Sequence, residues 1–194
     1  MSALRKEITY FTSPGPNNTE RTLALAKERA DALGLRTIIV ASTTGETGLA
    51  AAHLFKGHHL VVVTHSAGFH QPNTQEAAAE RLNAIRAEGA TVLTCQHAFG
   101  GIGRAVRMKL GTYEMEEIVA YALRIFCEGT KVAAEITVMA TDAGLAHSGE
   151  SVMAIAGTGR GADTAVILQA ANAMRFFDLN ILEIVCMPGG CEAQ

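Results

Sequence analysis

The stretch Arg36-Thr37-Ile38-Ile39-Val40-Ala41-Ser42-Thr43-Thr44-Gly45-Glu46-Thr47-Gly48 decides the fold. Its first half, residues 37–41, is apolar and β-branched with no polar alternation, which predicts a strand covered on both faces. Its second half is a turn dense in hydroxyls, Ser42, Thr43, Thr44 and Thr47, in which Gly45 lets a guest approach the backbone. Thr43 and Glu46 have the Ser/Thr-x-x-Glu spacing of a capping box, so a helix is expected to open here. The first N–H groups of a helix have no partner inside it and sit at the positive end of its dipole. A phosphate placed there gains hydrogen bonds and favourable charge together. The same hydroxyls also serve as plain caps and turn formers, and the turn taken alone supports both readings equally.

Outward from this stretch the same unit recurs. Residues 8–11 read as a strand, followed by a turn rich in Pro, Gly and Asn and by a helix whose stripe Leu23, Ala26, Ala30 and Leu33 is ended by Gly34. Asn17 and Glu20 again have capping-box spacing. The helix expected from about 46 to 56 is stopped by Gly57. A strand over 60–64, a loop over 65–73 and a helix from 73 carrying Ala78, Leu82 and Ile85 come next. A strand over 91–95 then empties into Gln96-His-Ala-Phe-Gly-Gly-Ile-Gly-Arg104. Strands alternating with helices imply a mostly parallel central sheet with helices on both faces, an α/β fold in one domain spanning 1–194. In such sheets the loops after the strands emerge on one edge, where ligands bind. Residues 112–142 read as a helix pair broken at Gly129-Thr130, serving as core packing or an oligomer surface. Strands over 151–156, 164–170 and 181–187 complete the pattern, before a loose tail at Pro188-Gly189-Gly190.

Composition narrows the function. Hydrophobic residues make up 48% and charged residues 18% of 194 residues, enough for one sizeable core. The net charge is −3 and no Lys/Arg stripe is interleaved with aromatics, which argues against nucleic acid. No apolar run approaches the roughly 20 residues of a membrane span, and the first residues are not a signal peptide, so a cytoplasmic location is expected. Four scattered cysteines suit a reduced compartment. Cys186 and Cys191 form a lone pair, which is a weak metal or redox signal beside buried cysteine and tail.

Gly157-Thr158-Gly159-Arg160-Gly161-Ala162-Asp163 has the look of a dinucleotide fingerprint, but that motif must open a helix, and Thr164-Ala-Val-Ile-Leu168 reads as a strand. The loop is either a flexible hairpin turn or a wrap around a ligand, with backbone donors and charge from Arg160. His65, His70 and His97 lie on strand-end loops, where histidine binds metals, contacts polar ligands or is merely a loop residue. No carboxylate or cysteine stands at ligand spacing to them, so no metal is expected. A Gly-x-Ser-x-Gly elbow is absent.

The order of these pieces resembles the carboxyl-terminal α/β domain of pyruvate kinase over about residues 36–170, through the strand and hydroxyl turn at 37–47, the second strand at 60–64 and Glu150-Ser-Val-Met-Ala-Ile-Ala-Gly-Thr-Gly-Arg-Gly161. The chain is still more similar to the small stand-alone proteins built on this domain, whose motifs appear as Gly15 to Glu20, Ala41 to Thr47, Val63 to Phe69 and Gly161 to Ala165, with Thr44 in place of a serine. The resemblance implies a three-layer α/β/α fold and bound flavin mononucleotide (FMN). It implies no pyruvate kinase activity, because that enzyme's catalytic barrel is missing from the sequence. FMN would then rest its phosphate on Ser42, Thr43, Thr44, Gly45, Glu46 and Thr47, with Asn18, His65, Gly157, Thr158, Gly159, Gly161 and Asp163 around the rest. Glu46 is either a cap or an acceptor for a sugar or ribityl hydroxyl. With 5% aromatics and no Trp, contacts to the ring are expected to be aliphatic or backbone. The sequence names neither a substrate nor an electron donor, so a flavin-dependent oxidoreductase stays open. The alternative is a module for another phosphorylated, sugar-phosphate-like effector. A homo-oligomer is compatible with the helix pair.

Overall fold

The computed structural model describes residues 3–189. Seven strands, β1 (Thr9–Phe11), β2 (Thr37–Ala41), β3 (His59–Val63), β4 (Thr91–Leu93), β5 (Ser151–Ala156), β6 (Thr164–Gln169) and β7 (Asn180–Pro188), form one sheet in the order β1-β7-β6-β5-β2-β3-β4. All neighbours are parallel except β6, which runs antiparallel to both β5 and β7. A crossover helix is needed only between parallel neighbours, so the glycine-rich stretch after β5 joins two antiparallel strands directly.

The helices are α1 (Thr19–Leu33), α2 (Glu46–Leu54), α3 (Ala79–Ala87), α4 (Ile102–Leu110), α5 (Met115–Arg124) and α6 (Glu128–Asp142), with 3-10 turns at Pro16–Asn18 and Ala173–Asp178. Side chains alternate across each strand. Ile38 and Val40 face α1, α2 and α3 in one core with Leu23, Ala30, Phe55 and Ile85. Ile39 faces α6 in the other with Val61, Ala133, Ile136 and Met139. The central strands are buried on both faces, which is why they read as unbroken apolar runs. The result is a three-layer α/β/α fold with a mostly parallel sheet.

Several boundaries differ from the sequence reading. Thr43 and Glu46 do not form a capping box. The N-cap of α2 is Gly45 at φ +85°, and Ser42 Oγ instead accepts the Gly48 N–H at 2.9 Å. Nor does Asn17 cap α1: it sits in the 3-10 turn, and Thr19 Oγ1 donates back to the Pro16 carbonyl at 2.7 Å. The third helix begins at Ala79 rather than at 73, because residues 64–78 form a loop of turns first. The break in the helix pair falls at 125–127. Gly129 and Thr130 belong to the first turn of α6, whose N-cap Cys127 Sγ accepts the Thr130 N–H. Residues 102–104, read as loop, open α4, and Pro188 closes β7 rather than a tail.

The two members of the helix pair also differ in kind. Helix α6 is core, whereas Ile102, Met108, Met115, Ile118 and Ile125 of the α4–α5 layer are exposed. Cys186 is buried on β7 and burial pushes its thiol up to about 11, which suits an inert core residue; Cys191 lies outside the described residues. Among the described residues no helix is long and apolar enough to cross a membrane.

Candidate functional site

Strands β2 and β3 both end at the same edge of the sheet, and beyond them lies a cavity of about 750 Å³. Its floor is the turn after β2, with Ser42, Thr43, Thr44, Glu46 and Thr47 in the lining, and His65 from the loop after β3 beside them. Gly157, Gly159 and Gly161 bring in the β5–β6 hairpin, and Pro16 and Thr19 the start of α1. Nine of the sequence-expected residues therefore meet around one space. The hydroxyl turn faces it with the start of α2, where helical N–H groups lack intrahelical partners.

Four expected residues act behind this surface. Asp163 is fully buried and ties two walls together: its carboxylate accepts the Gly15 N–H at 2.9 Å, the Thr158 N–H at 3.1 Å and the Thr164 hydroxyl at 2.7 Å. Thr158 enters through that backbone bond. Asn18 donates its side-chain amide to the carbonyls of Ser13 and Gly15, holding the loop before α1. Gly45 faces away toward Arg81: a Cβ there would come within 2.8 Å of Arg81 Cδ, while Arg81 Nη1 holds the Thr44 carbonyl at 2.8 Å. Two glycines of the hairpin, Gly157 and Gly161, are required by close packing, and Gly159 by its φ of +75°. A Cβ on Gly161 would stand 2.6 Å from Pro16 Cα, and one on Gly157 2.7 Å from the Gly161 carbonyl oxygen.

The largest addition to the sequence reading is the wall made by α6, which the sequence reading gave to core packing or an oligomer surface. Lys131, Val132, Glu135, Ile136 and Met139 line the cavity, with Arg124 of α5 and Glu128 beside them. Lys131 Nζ lies 2.9 Å from Glu135 Oε2, and Arg124 pairs with Glu128. Phe99 N–H donates to Glu135 Oε1 at 3.0 Å, and His97 Nδ1 stands 3.6 Å from the same oxygen. Burial pushes the Glu135 carboxyl up, but His97 and Lys131 outweigh it and draw it down to about 2. A pair four residues apart on a helix signals only a surface salt bridge in sequence. Tertiary packing makes it a buried charge pair.

A carboxylate held low in the folded state stabilises it above the ordinary carboxylate range and loses that contribution as pH falls. Glu135 should therefore contribute roughly 3 kcal/mol that disappears between pH ~4.5 and ~2. Denaturant midpoints measured down this pH range should fall in the wild type and fall less steeply in Glu135→Gln, where Asp31, Glu88 and Glu183 still lose their cationic partners' pull.

Aromatic groups are also present. Phe69 stacks on His97 with ring centroids 4.9 Å apart and lies 4.1 Å from His65, while the Arg104 guanidinium sits 4.5 Å over the Phe69 ring. All four line the cavity, so both aromatic rings and the aliphatic face of α6 reach it. His65 Nε2 is 3.3 Å from Thr43 Oγ1 and Nδ1 is 2.6 Å from Glu76 Oε2. Burial pushes the His65 imidazole below its ordinary range against the opposing pull of Glu76. The sequence offered no carboxylate at ligand spacing to the histidines; the folded loop supplies Glu76, 11 residues from His65.

Comparison with known proteins places this architecture. Three solved structures of pyruvate kinase from Cryptosporidium parvum, one of them in complex with ADP, are 18% identical to the chain, with TM-scores of 0.41, 0.43 and 0.39. The matches cover 77%, 79% and 77% of this chain and 23%, 24% and 22% of the kinases, so the chain spans about a quarter of their length. The family model described as pyruvate kinase, alpha/beta domain, matches residues 20–168, from the start of α1 to the end of β6. The chain belongs to the pyruvate kinase alpha/beta domain family.

Proposed function

We propose that this protein binds a phosphorylated small ligand, foremost FMN, with the phosphate on the turn of residues 42–47. The observation that carries this reading is the placement of that turn: hydroxyls and a helix start face one open cavity whose other walls carry Arg104, Arg124, Lys131 and Arg160. Anions favour such a helix start through hydrogen bonding and dipole together, and a cavity of about 750 Å³ is within the range that holds cofactors. The residues fit a flavin. Val132, Ile136 and Met139 offer an aliphatic wall and Phe69 an aromatic one, and Arg104 Nε is buried with no hydrogen-bond partner among the described residues. Flavin, when bound, supplies oxidation–reduction chemistry. The chain's own residues would hold the phosphate, wall off the ring and present polar groups from the hairpin.

A second occupant fits the same groups. Of the four cations around the cavity, Arg124 is paired with Glu128 and Lys131 with Glu135, which leaves Arg104 and Arg160 to meet a phosphate, and a sugar phosphate would use these two as well as FMN. The absorption spectrum of freshly purified protein, followed by titration with FMN and with riboflavin, separates these readings. Tight binding of FMN and weak binding of riboflavin are expected. A colourless protein indifferent to both flavins removes FMN and moves the reading to the second ligand class.

A further inference from the structure

We infer that His65, His70 and Glu76 form a binding site for a divalent transition metal at the mouth of the cavity. One ligand atom from each lies within 4.8 Å of the other two. His70 Nε2 is 3.4 Å from Glu76 Oε1, and His65 Nδ1 is 2.6 Å from Glu76 Oε2, so one carboxylate oxygen faces each imidazole. In a tetrahedral site with ligands at about 2.0–2.1 Å from the ion, neighbouring ligand atoms stand about 3.3 Å apart. The His70 contact, to Oε1, matches this spacing and the His65 contact, to Oε2, is shorter, so the Glu76 carboxylate must turn to present one oxygen at about 3.3 Å from both imidazole nitrogens as the ion replaces the shared hydrogen.

The scaffold is preformed. Gln75 Nε2 donates to the His65 carbonyl at 3.1 Å and to Thr64 Oγ1 at 3.2 Å, and Gly68 N–H donates to the Thr74 carbonyl at 2.8 Å. These bonds close the loop so that residues 65, 70 and 76 converge. His65 reaches Thr43 Oγ1 with its other nitrogen, the kind of outer hydrogen bond that fixes an imidazole's tautomer and direction for metal binding. Two imidazoles and one carboxylate select zinc, cobalt or nickel over magnesium and calcium, which prefer oxygen ligands alone. Three protein ligands leave a coordination position open. His65 and His70 line the cavity, so that position is available to water or to an anionic group of whatever the cavity holds.

The test uses the full chain and the metal alone, in buffer free of flavin and phosphate, so that its outcome is independent of the reading of the phosphate turn. Titration with Co(II), followed by visible absorption, and calorimetry with Zn(II) should give one site per chain. A large excess of Mg(II) should not compete. His70→Ala and Glu76→Gln should each weaken binding by at least ~10–100-fold, the loss that removing even an outer partner of a ligand brings. His70 is mostly exposed, so its alanine variant should retain the wild-type circular dichroism spectrum. Should either variant fail to fold, the ring-proton resonances of the wild type decide: Zn(II) should shift those of His65 and His70 and leave those of His53 and His147 in place. No one-to-one binding, binding unchanged in His70→Ala/Glu76→Gln, or shifts at other histidines only would overturn the assignment.

Discussion

Replacing Gly45 by aspartate is expected to weaken FMN binding roughly 100-fold while leaving riboflavin binding nearly unchanged. Two effects act together. The residue sits at φ +85°, where a side chain is strained by about 1–2 kcal/mol, and its Cβ would meet Arg81 Cδ at 2.8 Å. Arg81 can swing away, but it then releases the Thr44 carbonyl that shapes the turn. The new side chain points toward Arg81 rather than into the cavity, but its carboxylate still stands at the start of α2, at the positive end of the dipole that the phosphate would use. At a separation of ~6 Å and an effective dielectric of about 20, like-charge repulsion is about 3 kcal/mol, or two decades in affinity. Thr44→Asp serves as a companion, because Thr44 lines the cavity and has no positive φ, so its loss of affinity comes from charge and the lost hydroxyl without backbone strain. Fluorescence titration with both flavins reads the result. Unchanged FMN affinity in both folded variants would remove the turn from the binding site.

Asp163→Ala should destabilise the protein by about 2–6 kcal/mol. The carboxylate is fully buried and accepts from two backbone N–H groups, Gly15 and Thr158. Each buried donor left without an acceptor costs about 1–3 kcal/mol. Against the ~5–15 kcal/mol that holds a typical domain, this is a large share. Asp163→Asn keeps one acceptor oxygen and should lose less. Chemical denaturation measures both, and a loss under ~1 kcal/mol in the alanine variant would mean that the loops before α1 and after β5 do not depend on this carboxylate. Ligand affinity should fall with stability, because those loops form two walls of the cavity.

The strands were legible in the sequence because burial on both sheet faces leaves an unbroken apolar run at residues 37–41, 60–64 and 151–156, and no other element needs one. The hydroxyl turn was legible as a turn, because polar residues between an apolar strand and a helix mark where the chain reverses, while capping and ligand contact stayed equally open in the sequence. Helix α4 was not, because Gly100, Gly101 and Gly103 at its start read as loop. The capping boxes were misread because spacing permits a cap, while local backbone geometry decides whether it forms. At Ser42 the chain made a different closure with the same chemistry. The aromatic lining escaped notice because a composition of 5% says nothing of where Phe69 lies.

By itself, the sequence determined the alternation of strands and helices, the edge on which the strand-end loops gather and the hydroxyl turn at residues 42–47, since these follow from periodicity and short-range chemistry. The tertiary structure alone decided that α6 walls the cavity with Lys131 and Glu135, that Asp163 ties two loops together, and that Glu76 meets His65 and His70. Those are contacts between residues distant along the chain or on different elements. Side-chain type constrains such contacts only after the sheet order β1-β7-β6-β5-β2-β3-β4 has set which loops are neighbours.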